Sequence, residues 1–205
     1  MRMKIICFYT GHYAWDAEQL TKSLNKTGWK DFCVENREPL GNWETNTQYK
    51  APFILEKIKN EDSVVWTDAD SRMKQYPSLL EELKCDVAFN YMPLEKESFF
   101  KLPKHAILTN EIVEQEGFLQ SGTMYFKNTE KTIELLHKWI ELNNKDNQQW
   151  DQWTLQMAVH MIPDINVYSL PPEYVWTDNY HNIYENKKPV FEHLQASRRF
   201  KSRIR

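Results

Sequence analysis

Two aspartates one residue apart, Asp68-Ala69-Asp70, directly follow the apolar run Ser63-Val64-Val65-Trp66-Thr67. In an extended segment, residues two apart project to the same face, so both carboxylates converge at the end of a buried strand. Close like charges repel unless a cation lies between them. Hard divalent ions take such oxygen ligands, and magnesium or manganese completes its shell with substrate phosphate. The pair points to a metal-held phosphate or diphosphate. Helix capping and surface carboxylates are the ordinary alternatives for a bare Asp-x-Asp.

The rest of the sequence narrows how phosphate could be held. With 5 Gly in 205 residues, the chain has neither a GxGxxG fingerprint nor a P-loop, so metal and cations must replace a glycine-rich cradle. No GxSxG elbow occurs. His12, His105, His137, His160 and His181 show no paired metal spacing; His12 lies in the Thr10–Tyr13 loop, and the other four read as surface or core histidines. Cys7, Cys33 and Cys85 are far apart and form no CxxC, which excludes a zinc knuckle and a disulfide framework. Cys7 and Cys85 sit in apolar runs as buried small hydrophobes. A net charge of -3 argues against a generic nucleic-acid coat. Even so, residues 197–205 are basic, either a solvated end or a phosphate contact. A core alone could use the 8 Trp, 10 Tyr and 10 Phe, and so could a stacking surface for a base or sugar. Trp15, Trp43, Trp150, Trp153 and Trp176 lie near element ends and are the candidates.

These residues need elements to hold them. Residues 3–9 read as a buried strand stopping at Thr10-Gly11, and residues 16–27 as a helix ending at Gly28. Residues 31–35 are a strand, 46–60 a helix with Pro52 in its first turns, and 63–67 a central strand. A short helix over 78–83 and a strand over 86–91 follow, and 92–117 is irregular. Residues 123–126 form a strand. Asn128-Thr129 caps a long helix with Ile133, Leu136, Trp139 and Ile140 at helical spacing. A helix over 151–161, a strand over 166–170 and an extended segment over 189–193 complete the chain. Strands alternating with helices predict a single α/β domain over 1–205, a Rossmann-like, mixed but mostly parallel sheet flanked by helices. Such sheets bind ligands beyond the carboxyl ends of their strands, where Thr10–Tyr13 and Asp68–Asp70 fall.

The strand leading into Asp68-Ala69-Asp70, preceded by Tyr49-Lys50-Ala51-Pro52-Phe53-Ile54, resembles the GT-A class of nucleotide-sugar glycosyltransferases. Gln120-Ser121-Gly122-Thr123 through Asn128-Thr129, Trp150-Asp151-Gln152 and His193-Leu194-Gln195-Ala196-Ser197-Arg198 resemble later segments of that class, in the same order. The resemblance implies a metal site, Mn2+ or Mg2+, on Asp68, Asp70 and His193. It implies nucleotide-sugar contacts from Thr10, Gly11, Tyr13, Lys50, Asp68, Ser121 and Gly122, with Arg198 and Lys201 neutralising the departing diphosphate. Asp151 is its catalytic candidate, either a base for the acceptor hydroxyl or a group that orients the donor sugar. A helix N-cap is the structural alternative for Asp151, a turn for Thr10–Tyr13 and Gly122, and a solvated helix position for Lys50. The chain is short for the class, which implies few acceptor-binding additions.

Two other functions remain open at this level. An aspartyl-nucleophile phosphohydrolase also carries Asp-x-Asp at a strand end, but here Ser71-Arg72 follows and the motif lies well inside the chain. A non-enzymatic module binding glycan or nucleic acid would use the basic tail and aromatic rings. The transferase reading implies a nucleotide-sugar donor, with UDP the expected nucleotide, and a glycan, protein or modified DNA base as acceptor. No run approaches a membrane span and the N-terminal apolar run is too short for a secretion signal, so a reducing cytoplasm is expected. The oligomeric state is not readable.

Overall fold

A computed structural model describes residues 2–92, 116–145, 149–178, 184 and 186–198. Its main sheet has six strands in the order β2-β1-β3-β6-β5-β7. These are β1 (Met3–Tyr9), β2 (Phe32–Asn36), β3 (Ser63–Thr67), β5 (Val87–Met92), β6 (Phe118–Lys127) and β7 (Val167–Ser169). β1 runs parallel to both β2 and β3, and β7 parallel to β5. β6 runs antiparallel to both β3 and β5. The sheet is thus mixed and mostly parallel, as expected. Two short strands, β4 (Ser71–Met73) and β8 (Phe191–His193), pair antiparallel outside it.

Six helices accompany these strands among the described residues: α1 (Ala14–Lys26), α2 (Trp43–Gln48), α3 (Lys50–Ile58), α4 (Ser78–Glu82), α5 (Glu130–Lys145) and α6 (Asp151–Met161). The period-two alternation of the strands sends side chains to two separate cores. Ile6, Phe8, Val64, Trp66 and Phe126 pack with Phe53 and Ile54 of α3, Leu136 and Trp139 of α5, and Leu155 of α6. Ile5, Cys7, Val65 and Tyr125 point the other way, onto Leu20 and Leu24 of α1 and Phe191 of β8. Each such fully buried large side chain contributes about 1.5–3 kcal/mol relative to exposure. The run 63–67 is buried throughout because both faces of β3 are covered.

Several sequence expectations shift. The helix expected over 46–60 is two helices meeting at Tyr49: α2 starts earlier, where the Asn42 side chain accepts from the Thr45 amide, and Pro52 has no N–H for the Gln48 carbonyl that would join α2 to α3. β6 is 10 residues long, and begins well before residue 123. Its polar Gln-Ser-Gly stretch hides a strand from a periodicity reading. β4 was not expected at all; three residues with an arginine in the middle give too little pattern. Thr129 does cap α5, accepting from the Thr132 amide at 3.2 Å. Cys7 and Cys85 are buried, and His12, His137 and His160 are exposed. His105 and His181 lie outside the described residues. No helix among the described residues is long and apolar enough to cross a membrane.

Candidate functional site

The carboxyl end of β3 carries Asp68, and the chain turns there before entering β4. Asp70 closes that turn, and β4 pairs with β8 so that Ser71 lies opposite His193. Asp68, Asp70 and His193 each offer a ligand atom, and these atoms lie within 4.8 Å of one another. A segment 123 residues further along the chain is thus delivered to the aspartates by a two-stranded ladder. Asp70 is fixed as well: its Oδ2 accepts from the Ala196 amide at 2.6 Å, and its carbonyl accepts from the Leu194 amide. Burial first, then the neighbouring Asp68 charge, raises the Asp70 pKa above the ordinary carboxylate range. A buried carboxyl beside a like charge is a site that a cation would relieve.

His193 is held from three sides. Its amide donates to the Trp176 carbonyl at 2.6 Å. Its Nε2 lies 2.9 Å from the Thr123 hydroxyl on β6, and the ring also hydrogen-bonds the Tyr174 backbone, so two contacts orient the imidazole. Thr123 continues a buried hydroxyl chain through Thr67, 3.3 Å away, to Ser71, 2.7 Å further. Gly122 makes the ring's position possible, since a Cβ there would sit 2.9 Å from His193 Cε1 and 3.0 Å from Nδ1. Two carboxylates and an imidazole this close together are a donor set that could hold a divalent cation.

Beside this cluster lies a second one built on Lys50. Its ammonium reaches Asp68 Oδ1 and Asp151 Oδ2, each at 3.0 Å, and the Ser121 hydroxyl at 3.1 Å. Ser121 in turn donates to Asp151 Oδ2 at 2.9 Å, and the Trp66 indole N–H donates to Asp68 Oδ1 at 3.0 Å. Burial alone would lower the Lys50 pKa, but the charges of Asp151 and Asp68 outweigh it and raise it. Lys50 is therefore a buried, paired cation, not a solvated helix residue. Asp151 is not an N-cap. It is the first residue of α6, Trp150 stands at the cap with no side-chain bond, and the carboxylate turns to Lys50 and Ser121.

Both clusters open on one cavity of about 360 Å³. Thr10 and Tyr13 line one part of it, and Lys50, Asp68, Asp70, Ser121, Gly122, Asp151, His193 and Arg198 line it as well. Gly11 opens a short 3-10 turn with φ +35°, a conformation that favours glycine, and does not itself line the cavity. Lys201 lies outside the described residues. A larger cavity, about 680 Å³, sits at the amino ends of β1 and β3 near Met3 and Asp62 and holds none of these groups. α/β sheets use the carboxyl ends, so chemistry decides over volume here. The sequence reading did not find Thr123 or Trp66 as supports; a threonine and a tryptophan inside strands carry no signal until the strands are paired.

A family model described as nucleotide-diphospho-sugar transferase matches residues 45–202. The chain belongs to that family. The transferase is a glycosyltransferase of the GT-A class, and the phosphohydrolase and binding-module alternatives are set aside. Its fold is similar to that of a glycosyltransferase involved in the glycosylation of the major capsid of PBCV-1, with TM-score 0.67 and 14% identity over 100% of both chains. It is also similar to the WbbM bifunctional glycosyltransferase, again with TM-score 0.67 and 14% identity, over 95% of this chain and 46% of that one. No curated protein sequence matches it. The family implies a nucleotide-sugar donor and an acceptor.

Proposed function

We propose that residues 1–205 act as one catalytic domain that moves a sugar from a UDP-sugar to an acceptor hydroxyl, using Mn2+ or Mg2+ held by Asp68, Asp70 and His193. The observation that carries this reading is the convergence of those three ligands beside the Lys50–Asp151–Ser121 cluster on one cavity wall. A divalent ion there would offset diphosphate charge as the bond to the sugar breaks. Thr10 and Tyr13 receive the nucleotide at the end of β1, and Gly11 makes the turn between them. Burial, then the Asp70 and Asp68 charges, push the Tyr13 hydroxyl up to about 12. Arg198 adds a cation for the leaving diphosphate, and Lys201 joins it by resemblance. Gly122 keeps the backbone low beside the sugar.

Asp151 acts on the donor sugar by orientation in this reading. Its Oδ2 is committed to Lys50 and Ser121, so the carboxylate is a fixed acceptor for sugar hydroxyls. Lys50 ties that acceptor to the ligand Asp68, so sugar and diphosphate are registered to each other through one side chain.

Thermal unfolding with nucleoside diphosphates, with and without Mn2+, tests the reading. A ligand at about 100 times its Kd stabilises by about 2.7 kcal/mol. UDP should raise the melting temperature, more with Mn2+, and the Asp68→Asn, Asp70→Asn double variant should lose the Mn2+ increment and turnover. No response to any nucleoside diphosphate, or turnover persisting in the double variant, would overturn it.

A further inference from the structure

The same cavity carries two indole rings that the donor reading above leaves without a role. Trp43 of α2 and Trp150 at the start of α6 both line it, half-buried. Their rings meet edge to face, with centroids 6.4 Å apart and planes at 82°. Trp43 also shares a side-chain hydrogen bond with Tyr13, so the pair is tied to the nucleotide loop. Thr47, Gln120 and Gln152 line the same cavity. The Gln152 amide is oriented by donating to the Leu119 carbonyl at 3.1 Å. Trp150 adjoins Asp151, so this wall borders the place where the transferred sugar is oriented.

We propose that the Trp43–Trp150 wall is the acceptor platform, and that its occupant is a neutral sugar of a glycan and not a base within DNA. The inference rests on the donor reading above. Indole rings offer flat apolar surface that suits the C–H face of a pyranose, while neutral amides and a hydroxyl suit its alcohols. Nucleic acid needs cations for its phosphates. The lysine lining the cavity, Lys50, is already paired with Asp68 and Asp151. Arg198 follows His193 and belongs with the diphosphate. Among the described residues, what remains for the acceptor is an aromatic wall with neutral polar groups.

The test measures UDP release from UDP-sugars with Mn2+ in the presence of methyl glycopyranosides, or of duplex DNA carrying hydroxymethylated bases. Tryptophan fluorescence and UDP affinity by calorimetry are measured on the same samples. Glycosides should accelerate UDP release and shift the fluorescence, and the DNA should do neither. In Trp43→Ala and Trp150→Ala, acceptor KM should rise about tenfold, equal to about 1.4 kcal/mol of lost binding. That rise should exceed any change in UDP affinity at least fivefold, and Trp43→Phe and Trp150→Phe should recover most of it. Stimulation by DNA and by no glycoside would overturn the proposal. So would a glycoside panel without effect, or alanine variants that weaken UDP as much as the glycoside. Failure of the parent protein to bind UDP at all would overturn the donor reading first, and this proposal with it.

Discussion

Gly122→Ala is a one-carbon change whose consequence can be worked from distances. The added Cβ would meet His193 at Cε1 2.9 Å, Nδ1 3.0 Å and Nε2 3.2 Å, all on one ring. Neither side gives easily. The Gly122 carbonyl accepts from the Asp68 amide at 2.9 Å, and the next residue, Thr123, is in register with Thr67 of β3. His193 is buried, anchored by its amide to Trp176 and by its ring to Thr123. Gly122 has no left-handed φ, so alanine is acceptable to the backbone and the effect is purely steric. Overpacking of this kind costs about 1–3 kcal/mol. The cheapest relief is to push the ring out of the ligand cluster, so the cost falls on metal affinity. At about 1.4 kcal/mol per tenfold, Mn2+ affinity should drop roughly 5- to 150-fold. Calorimetric Mn2+ titration reads this directly, with urea unfolding of the metal-free protein as control. A double-variant cycle sharpens it: in a His193→Ala background the alanine at 122 should cost almost nothing more. Equal losses in both backgrounds would refute the steric argument and remove His193 from the metal site.

Thr123→Val deletes the hydroxyl that orients His193, and Mn2+ affinity should fall about 10–100-fold by the same titration while the ring stays in place. Lys50→Met leaves the buried Asp151 carboxylate without its cation, while the partly exposed Asp68 can turn to water; urea unfolding should show a loss of about 3–5 kcal/mol from Asp151, and a near-neutral result would mean that carboxylate is solvated. Asp70→Asn removes a carboxyl whose ionisation burial and Asp68 oppose, so the metal-free protein should melt higher while its Mn2+ stabilisation disappears; a lower melting temperature without metal contradicts this. At Glu35, burial opposes ionisation, but hydrogen bonds from Cys33 and Lys57 outweigh it and lower the pKa. A depressed carboxylate contributes stability above its unfolded pKa of about 4.3 and loses it as pH falls through the folded value, so Glu35→Gln should flatten the acid side of the stability profile below about pH 5.

The sequence alone carried the strands that run apolar and unbroken. β1 and β3 match residues 3–9 and 63–67 because each is covered on both faces, and a doubly covered strand has little choice of composition. It also pointed to a type of chemistry, since two aspartates converging at the end of such a strand can share a cation. The nomination of His193 and Asp151 came from segment resemblance, not from any local pattern. What the tertiary structure decided was partnership. The β4–β8 ladder, invisible in three-residue strands, brings His193 to Asp70. The antiparallel placement of β6 between β3 and β5 sets Ser121, Gly122 and Thr123 against three different partners: Lys50 and Asp151, the His193 ring, and the His193 nitrogen. Lys50 reads equally as a nucleotide contact or a solvated helix residue until α3 is docked, and only then is it a buried cation between two carboxylates. Among the tryptophans, packing alone separated buried Trp153 and Trp176 from Trp43 and Trp150 on the cavity wall. Local sequence specifies which backbone shape is cheap and which faces must be covered. Which distant side chain arrives at a given atom is set by sheet order and strand direction, and those are properties of the assembled chain.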